Sequence, residues 1–525
     1  MLTFTAVLVF GGVGVTRIDV MNARYDASAA TAQDPVYDPQ AGVEQNPAVA
    51  HVHVHTEPAD TIVAGPLDPS EGGQWQYLRP LPSKTKNPVH SITGPNGKVL
   101  DVTGSGGDKR LLAAGTFSSR VYDPVTDTYT NVATPADMFC AGQTLLPDGR
   151  ALVGGGTAAI NGGPSPAPYT FKGSMSLYAF DFTTLTYQKL TPLEVGRWYP
   201  SIVNWFDGAV FIIGGLDGTG VTTDVNEVFH YQTDTHTTLP GHRAFALYPQ
   251  LHPAMNGQLF YAYNDPGFWA PYTNKFTPVP GLKSLARTGS SSCFVGDVRD
   301  QNLILMGGGW PANKVVAEIN LKASNPTFTL GPPLPSAKAY LNCVNLPNGQ
   351  TLEVGGCSNN LATAAKHDVA ILNSVDGPWV AMNPLPAGEH RCYHSNEFVD
   401  DNGDVMSYTS NPTDAPFSLS VLRWSPPYQF LGTRPTLAVP TTDMKYDATY
   451  TMTTTGGADR ISVLTWSDPT HATQPNQRYL SLPLSGSGAI TLPTRASRVL
   501  TPGWYRLWAV NPAGALSKAV WIHLS

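Results

Sequence analysis

Four short segments of this chain hold two thiols, two phenols and three imidazoles, of which one thiol, both phenols and two imidazoles carry the chemistry considered first. They are Ala136-Asp-Met-Phe-Cys140, Gly196-Arg-Trp-Tyr-Pro200, His390-Arg-Cys-Tyr-His-Ser395 and Thr470-His471-Ala472. Their reactive side chains are Cys140, Tyr199, Tyr393, His394 and His471. If these groups meet, two imidazoles and two phenolates form a tetragonal N,O donor set, which suits Cu(II) better than zinc, calcium or magnesium. A free phenol ionises only at a pH of about 10, so a phenolate at neutral pH needs a strong neighbouring cation, and a metal provides one. Taken singly, each residue has an ordinary explanation. A buried Cys is a small hydrophobe, a Tyr is a packing group with a wet hydroxyl, and a His is a satisfied polar residue.

Groups spread from Cys140 to His471 can meet only if the chain returns repeatedly to one axis, and the sequence between them repeats. From Trp75 to about Gly432 an apolar stretch, a tight Asn/Asp-Gly turn and a second apolar strand recur, the second strand often ending in paired glycines. Pro147-Asp-Gly-Arg-Ala-Leu-Val-Gly-Gly-Gly156 and Pro347-Asn-Gly-Gln-Thr-Leu-Glu-Val-Gly-Gly356 are two of seven copies. The turns at Gly97, Gly149, Gly208, Gly257, Asn302, Gly349 and Gly403 fall about 45 to 60 residues apart, close to the kelch period of about 50. Asn-Gly and Asp-Gly supply the positive φ of a two-residue hairpin, so each copy is expected at the middle of a four-stranded blade. The paired glycines should lie where blades crowd the axis. Cys140, Tyr199 and the Tyr393-His394 pair stand just ahead of the second, third and seventh hairpins.

The composition agrees with an all-β fold: 50 Gly, 46 Pro and 14% charged residues, with 42% hydrophobic content for a substantial core. The expected architecture is a seven-bladed kelch-like β-propeller over residues 73–432, followed over 433–525 by an immunoglobulin-like β-sandwich. Within the latter, the polar string Ser467 to Gln474 reads as a protruding loop. Net charge is -7 and no Lys/Arg run could track a phosphate backbone, so no nucleic-acid partner is expected.

Residues 1–16 read as an export signal or membrane anchor. The apolar run Leu2 to Val15 is short for a membrane span, although no Lys or Arg precedes it and the first Ala-x-Ala-like site is Ala27-Ser28-Ala29. A secreted or cell-surface protein is expected. Residues 17–72 lack a sustained period and read as a linker or tether. Within them, His51, His53 and His55 would share one face of a strand, where they could bind a metal; in a linker the cluster reads as incidental.

The four chemical segments, in this order around the repeat, resemble the galactose oxidase and glyoxal oxidase family of copper radical oxidases over about residues 73–525. The resemblance implies one copper ion, a Cys140–Tyr199 thioether as a protein-derived radical cofactor, and metal ligands Tyr199, Tyr393, His394 and His471. It makes Tyr199 the crosslinked radical ligand and Tyr393 the axial ligand that takes a substrate proton. A sulfur on the Tyr199 ring would enrich it in electrons and ease its one-electron oxidation. The implied reaction is oxidation of small aldehydes or alcohols by O2 with release of hydrogen peroxide, by a monomer.

The chain departs from galactose oxidase in two ways. The Trp that stacks on the thioether ring there follows the paired glycines of the third hairpin, where this chain has Gly214-Gly-Leu-Asp-Gly218. Trp269, in Asp265-Pro-Gly-Phe-Trp-Ala270, is therefore expected to stack, with Trp310 as second choice. Ahead of the repeat only a tether is expected, in place of the additional N-terminal carbohydrate-binding domain of galactose oxidase. Both features favour the bacterial glyoxal-oxidase-like members and glycolaldehyde-type aldehydes. The alternatives are a primary-alcohol or galactose-type oxidase of the same chemistry, and a non-catalytic kelch-type propeller that binds glycans or proteins. Cys293, Cys343, Cys357 and Cys392 permit up to two disulfides of undetermined pairing. The register of the hairpin between Cys343 and Cys357 argues against joining those two.

Overall fold

The computed structural model describes residues 52–53, 60–82, 87–162, 170–282, 288–309 and 311–525. The repeat forms seven antiparallel sheets arranged as propeller blades. Their inner strands are His90–Thr93, Ala141–Leu145, Ser201–Asn204, Leu251–Pro253, Ser291–Phe294, Ala339–Asn345 and Asn396–Val399. Each hairpin seen in the sequence links the first and second strands of a blade, nearer the axis than the middle position expected. Gly149 and Gly208 take φ of 91° and 92° at these turns, conformations that a side chain would strain. Where the fifth blade lacks the glycine, a single 3-10 turn (Val298–Asp300) and a left-handed Gln301 (φ 55°) do the same work. The paired glycines answer to crowding: a Cβ on Gly155 would lie 2.4 Å from the Arg197 carbonyl oxygen, because the chain entering the third blade crosses there.

The seventh blade is closed from the other end of the chain. Strand Gln74–Leu78 pairs antiparallel with the outer strand Phe417–Ser425, and Ile62–Val63 adds beyond it. The last part of the stretch read as a tether therefore belongs to a sheet. Its pairing closes the ring and leaves no unpaired strand between first and last blades. Residues 1–16, His51 and His55 lie outside the described residues, as do the side chain of His53 and all of Trp310. Among the described residues no helix is long and apolar enough to cross a membrane.

Residues after 433 form a sandwich whose main sheet orders Asp443–Met444, Val520–Leu524, Gly503–Val510, Arg460–Thr465 and Tyr479–Pro483. Sandwich and propeller share cores: Ile461, Val463 and Leu507 pack with Phe260, Phe294 and Leu303. Trp466 and Trp521 pack with Ile92, Val121 and Phe180. The loop after Thr465 protrudes from the sandwich, as expected, but it is buried among the inner strands. Ser467 and Thr93 exchange backbone and side-chain bonds, and Gln143 Nε2 donates to the Pro469 carbonyl at 3.0 Å. Asn476 Oδ1 accepts from the Asn204 N–H at 2.9 Å, and Gln477 Oε1 from the Asn345 N–H at 2.8 Å. Arg478 donates to the Pro253 carbonyl, and Gln474 to that of Glu397. One segment thus touches the inner strands of six blades, which places it on the axis. It satisfies the outward-facing peptide groups that an inner strand, having a neighbour on only one side, leaves open.

The four remaining cysteines form two bridges, Cys293–Cys343 and Cys357–Cys392. Cys343 and Cys357 are not joined, as the hairpin register indicated. The second bridge ties the sixth blade to the residue directly before Tyr393.

Candidate metal centre

One position of the repeat is used over and over. Just before or at the start of an inner strand stands a residue with left-handed φ: Cys140 (59°), Tyr199 (67°), Tyr248 (44°), Gly289 (68°), Tyr340 (63°) and His394 (65°). Successive copies are laced by backbone bonds, from Tyr199 N to Cys140 O and from Tyr248 N to Tyr199 O, each 2.9 Å. An L-residue in this conformation is disfavoured by roughly 1–2 kcal/mol, so the surrounding contacts must hold it there. Ahead of Cys140 the buried Asp137 carboxylate does this, accepting from Ser105 N, Ser105 Oγ and Phe139 N. Burial pushes the pKa of Asp137 up to about 6. Left-handed residues that are not glycine concentrate at functional sites, and four of the five reactive residues have this conformation, His471 being the fourth (49°).

The five side chains meet. The ligand atoms of Cys140, His394 and His471 lie within 4.8 Å of one another, and Cys140 Sγ is 3.6 Å from His471 Nε2. The hydroxyls of Tyr199 and Tyr393 are in contact. The His394 and His471 rings sit edge to face at 4.5 Å, and the Tyr199 ring lies 4.6 Å from that of His471. Cys140, Tyr199, Tyr393 and His394 are buried and His471 is partly so.

Hydrogen bonding fixes how His471 presents itself. Thr470 Oγ1 gives its one proton to the Val89 carbonyl at 2.9 Å and lies 2.6 Å from His471 Nδ1. It must therefore accept from Nδ1–H, which leaves Nε2 unprotonated and turned toward Cys140. Burial holds the pKa of His394 and His471 well below the usual imidazole value, and neighbouring imidazoles push the same way. Both are thus neutral, the form that binds metals. His394 Nε2 is buried with no hydrogen-bond partner, a costly arrangement unless another atom is bound there. An orphaned imidazole nitrogen, a second one freed by its tautomer and two touching phenol oxygens form a donor set that fits copper.

The stacking residue differs from the expectation. Trp269 lies on the third strand of the fourth blade, packs at 5.0 Å against Phe245 and donates to Asn274 Oδ1 at 3.0 Å. It belongs to the core between the third and fourth blades, with Trp205 and Phe211, away from Tyr199. Trp198 covers the Tyr199 ring instead, with centroids 3.7 Å apart and planes 10° from parallel. Phe171 stacks on the far side of Trp198 at 4.4 Å. Neighbours along an extended strand point to opposite faces, and only the left-handed turn at Tyr199 lays the two rings together. The string Gly196-Arg-Trp-Tyr-Pro200 contained the residue but not that turn.

Sequence reasoning also missed Tyr248, whose ring is 4.3 Å from His471 and 4.5 Å from Tyr199, with its hydroxyl on the Ala141 carbonyl. Its signal was the repeat itself, since Tyr248 is the fourth-blade copy of the position held by Cys140 and Tyr199.

Comparison with known proteins bears on the fold and the family. The family model for the galactose oxidase-like early set domain matches residues 434–524. The chain is 23% identical over 529 residues to the aldehyde oxidase GLOX of Vitis pseudoreticulata, covering 86% of this chain and 97% of the relative. It is 24% identical over 461 residues to galactose oxidase of Gibberella zeae, covering 77% and 64%. A WSC domain-containing protein of Arthroderma benhamiae is 25% identical over 472 residues, covering 81% of this chain and 50% of the relative. The chain thus spans about half of the last and under two thirds of galactose oxidase. A copper-complexed fungal alcohol oxidase of the AA5 family superposes with a TM-score of 0.73 at 22% identity, over 87% of this chain and 100% of the other.

Proposed function

We propose that this chain, which belongs to the galactose oxidase and glyoxal oxidase family of copper radical oxidases, oxidises small aldehydes with O2 to carboxylic acids and hydrogen peroxide. The observation that carries the reading is the meeting of Cys140, Tyr199, Tyr393 and His394, from three blades, with His471, from the sandwich loop. The aldehyde preference is supported by the likeness to an aldehyde oxidase over almost its whole length, and the likeness to a fungal alcohol oxidase over all of its length makes alcohols the comparison that tests it.

Copper bound by Tyr199, Tyr393, His394 and His471 would supply a one-electron acceptor and favour ionised phenols. The chain's own groups do the rest. Cys140 and Tyr199 join by a carbon–sulfur bond, the thiol and the ring each giving up one hydrogen to O2, which becomes H2O2. In turnover Tyr393 Oη takes the hydroxyl proton of the bound aldehyde hydrate, and Tyr199 Oη, on the oxidised ring, takes the hydrogen from its carbon. The balance is RCH(OH)2 + O2 → RCOOH + H2O2. Trp198 shields the Tyr199 ring from water and extends its stack. Thr470 holds the His471 tautomer.

Peroxide release from glycolaldehyde, methylglyoxal, glycerol and galactose, with and without copper, tests the reading. Copper-dependent peroxide, fastest with the two aldehydes, is expected. A glycerol or galactose preference would move the assignment to an alcohol oxidase, and no peroxide from any of them would end it. Trp198→Leu should still form the crosslink, seen by intact mass, yet turn over about tenfold more slowly, as loss of a ~1.4 kcal/mol ring contact implies. Its radical absorbance should also decay faster.

A further inference from the structure

Next to His394 a small cleft is lined by Asn87, Gly106, Phe139, Asn411 and Phe417. Its aromatic walls offer no hydrogen bonds. The Asn411 backbone is engaged, its N–H donating to the Tyr393 carbonyl at 2.7 Å and its carbonyl accepting from Asn360 Nδ2 at 3.2 Å. Asn87 is different. It is 6% exposed, stands three residues before the inner strand of the first blade, and neither Oδ1 nor Nδ2 has a hydrogen-bond partner. Burying an amide with both ends unmet is unfavourable unless a ligand completes it.

We infer that Asn87 is a substrate-binding residue that selects for hydroxyl groups, with the cleft as the subsite for one hydroxyl of the substrate beside the metal centre. An amide presents one donor and one acceptor side by side, and its complement must accept and donate at once. A hydroxyl does so, whether on an aldehyde hydrate or on the carbon beside it. A free carbonyl only accepts. A carboxylate only accepts, so where the bound hydroxyl belongs to the aldehyde hydrate the acid product keeps the bond from Asn87 Nδ2 and loses the one to Oδ1. Gly106, Phe139 and Phe417 line the cleft, whose space is about that of one hydroxyl or water. The preferred substrates are therefore small aldehydes that hydrate readily or carry a neighbouring hydroxyl. Their identity as substrates rests on the oxidase reading; the site itself does not.

Asn87→Leu, close in shape and without the amide, and Asn87→Asp, an acceptor only, each break the paired donor and acceptor. For both we expect KM for glycolaldehyde to rise roughly 10- to 100-fold, with kcat changed by less than about threefold. Copper content and crosslink mass should match the parent protein. Binding of glycolaldehyde to copper-free full-length protein, followed by ligand-observed NMR, should be lost in Asn87→Leu. If wild type produces peroxide and Asn87→Leu keeps both KM and binding, the cleft holds ordered water alone and the inference is overturned while the oxidase reading stands. If no protein produces peroxide but glycolaldehyde binds wild type and not Asn87→Leu, the oxidase reading falls and the site stands. Should glycolaldehyde bind neither, with KM unchanged or no turnover at all, the inference also fails.

Discussion

Cys140→Ala will abolish peroxide production, by roughly 1,000-fold or more, while leaving a folded, copper-binding protein. Cys140 is fully buried in the apolar cluster that also holds Phe139, Trp198 and Tyr199. Removing one sulfur there leaves a small gap, worth about 1 kcal/mol in so large a core. The four N and O donors are untouched. What would disappear is the proposed carbon–sulfur bond to Tyr199, and with it the lowered cost of oxidising that ring. Intact mass after copper loading in air reads this directly: wild type should lose the mass of two hydrogens only when copper is present, and the variant should lose nothing. A glycan- or protein-binding propeller of the same shape would show no copper-dependent change in either protein. Wild type that keeps its full mass, or a variant that still yields peroxide, would sink the proposed cofactor.

His471→Ala should remove copper binding at a stage where Cys140→Ala does not. The expected loss of affinity is at least about 100-fold, the upper end of what displacing a supporting group costs and a floor for losing a ligand. The fold should survive it, because the loop is anchored elsewhere: Gln143 to Pro469, Asn476 to Asn204, Gln477 to Asn345 and Arg478 to Pro253. The melting temperature of the copper-free variant should therefore stay within a few degrees of wild type. Asn476→Ala should do the opposite, lowering the copper-free melting temperature by leaving buried peptide groups of Ile202 and Asn204 unpaired, at about 1–3 kcal/mol each. Equilibrium copper titration and thermal unfolding of both variants check the pair. A His471→Ala protein that binds copper as wild type does would show that the sandwich contributes shape alone.

These two predictions use residues that were legible before any coordinates, and the reason is chemical. A hairpin turn declares itself by Asn-Gly or Asp-Gly because the positive φ is a local demand, and Gly149 and Gly208 meet it as written. The repeat of such turns announced the blades, and the paired glycines announced the crowding that the Arg197 carbonyl confirms. Thiol, phenol and imidazole likewise carry their reactivity in the side chain, so Cys140, Tyr199, Tyr393, His394 and His471 could be named from residue type and order.

Through-space relations were not local, and there the reading fell short. Trp269 was chosen from the look of its own segment, but an outer strand directs it between two blades. Trp198, beside Tyr199 in sequence, reached the ring only because the backbone turns left-handed between them. The disulfide partners of Cys293 and Cys392, the closure of the last blade by Gln74–Leu78, and the unmet amide of Asn87 all depend on which distant strands become neighbours. Residue identity and turn preference are properties of a few consecutive residues, and the sequence by itself determined those. Who stacks on whom, which nitrogen of His471 is free and which buried amide lacks a partner are set when seven blades close around one loop, and only the tertiary structure decided them.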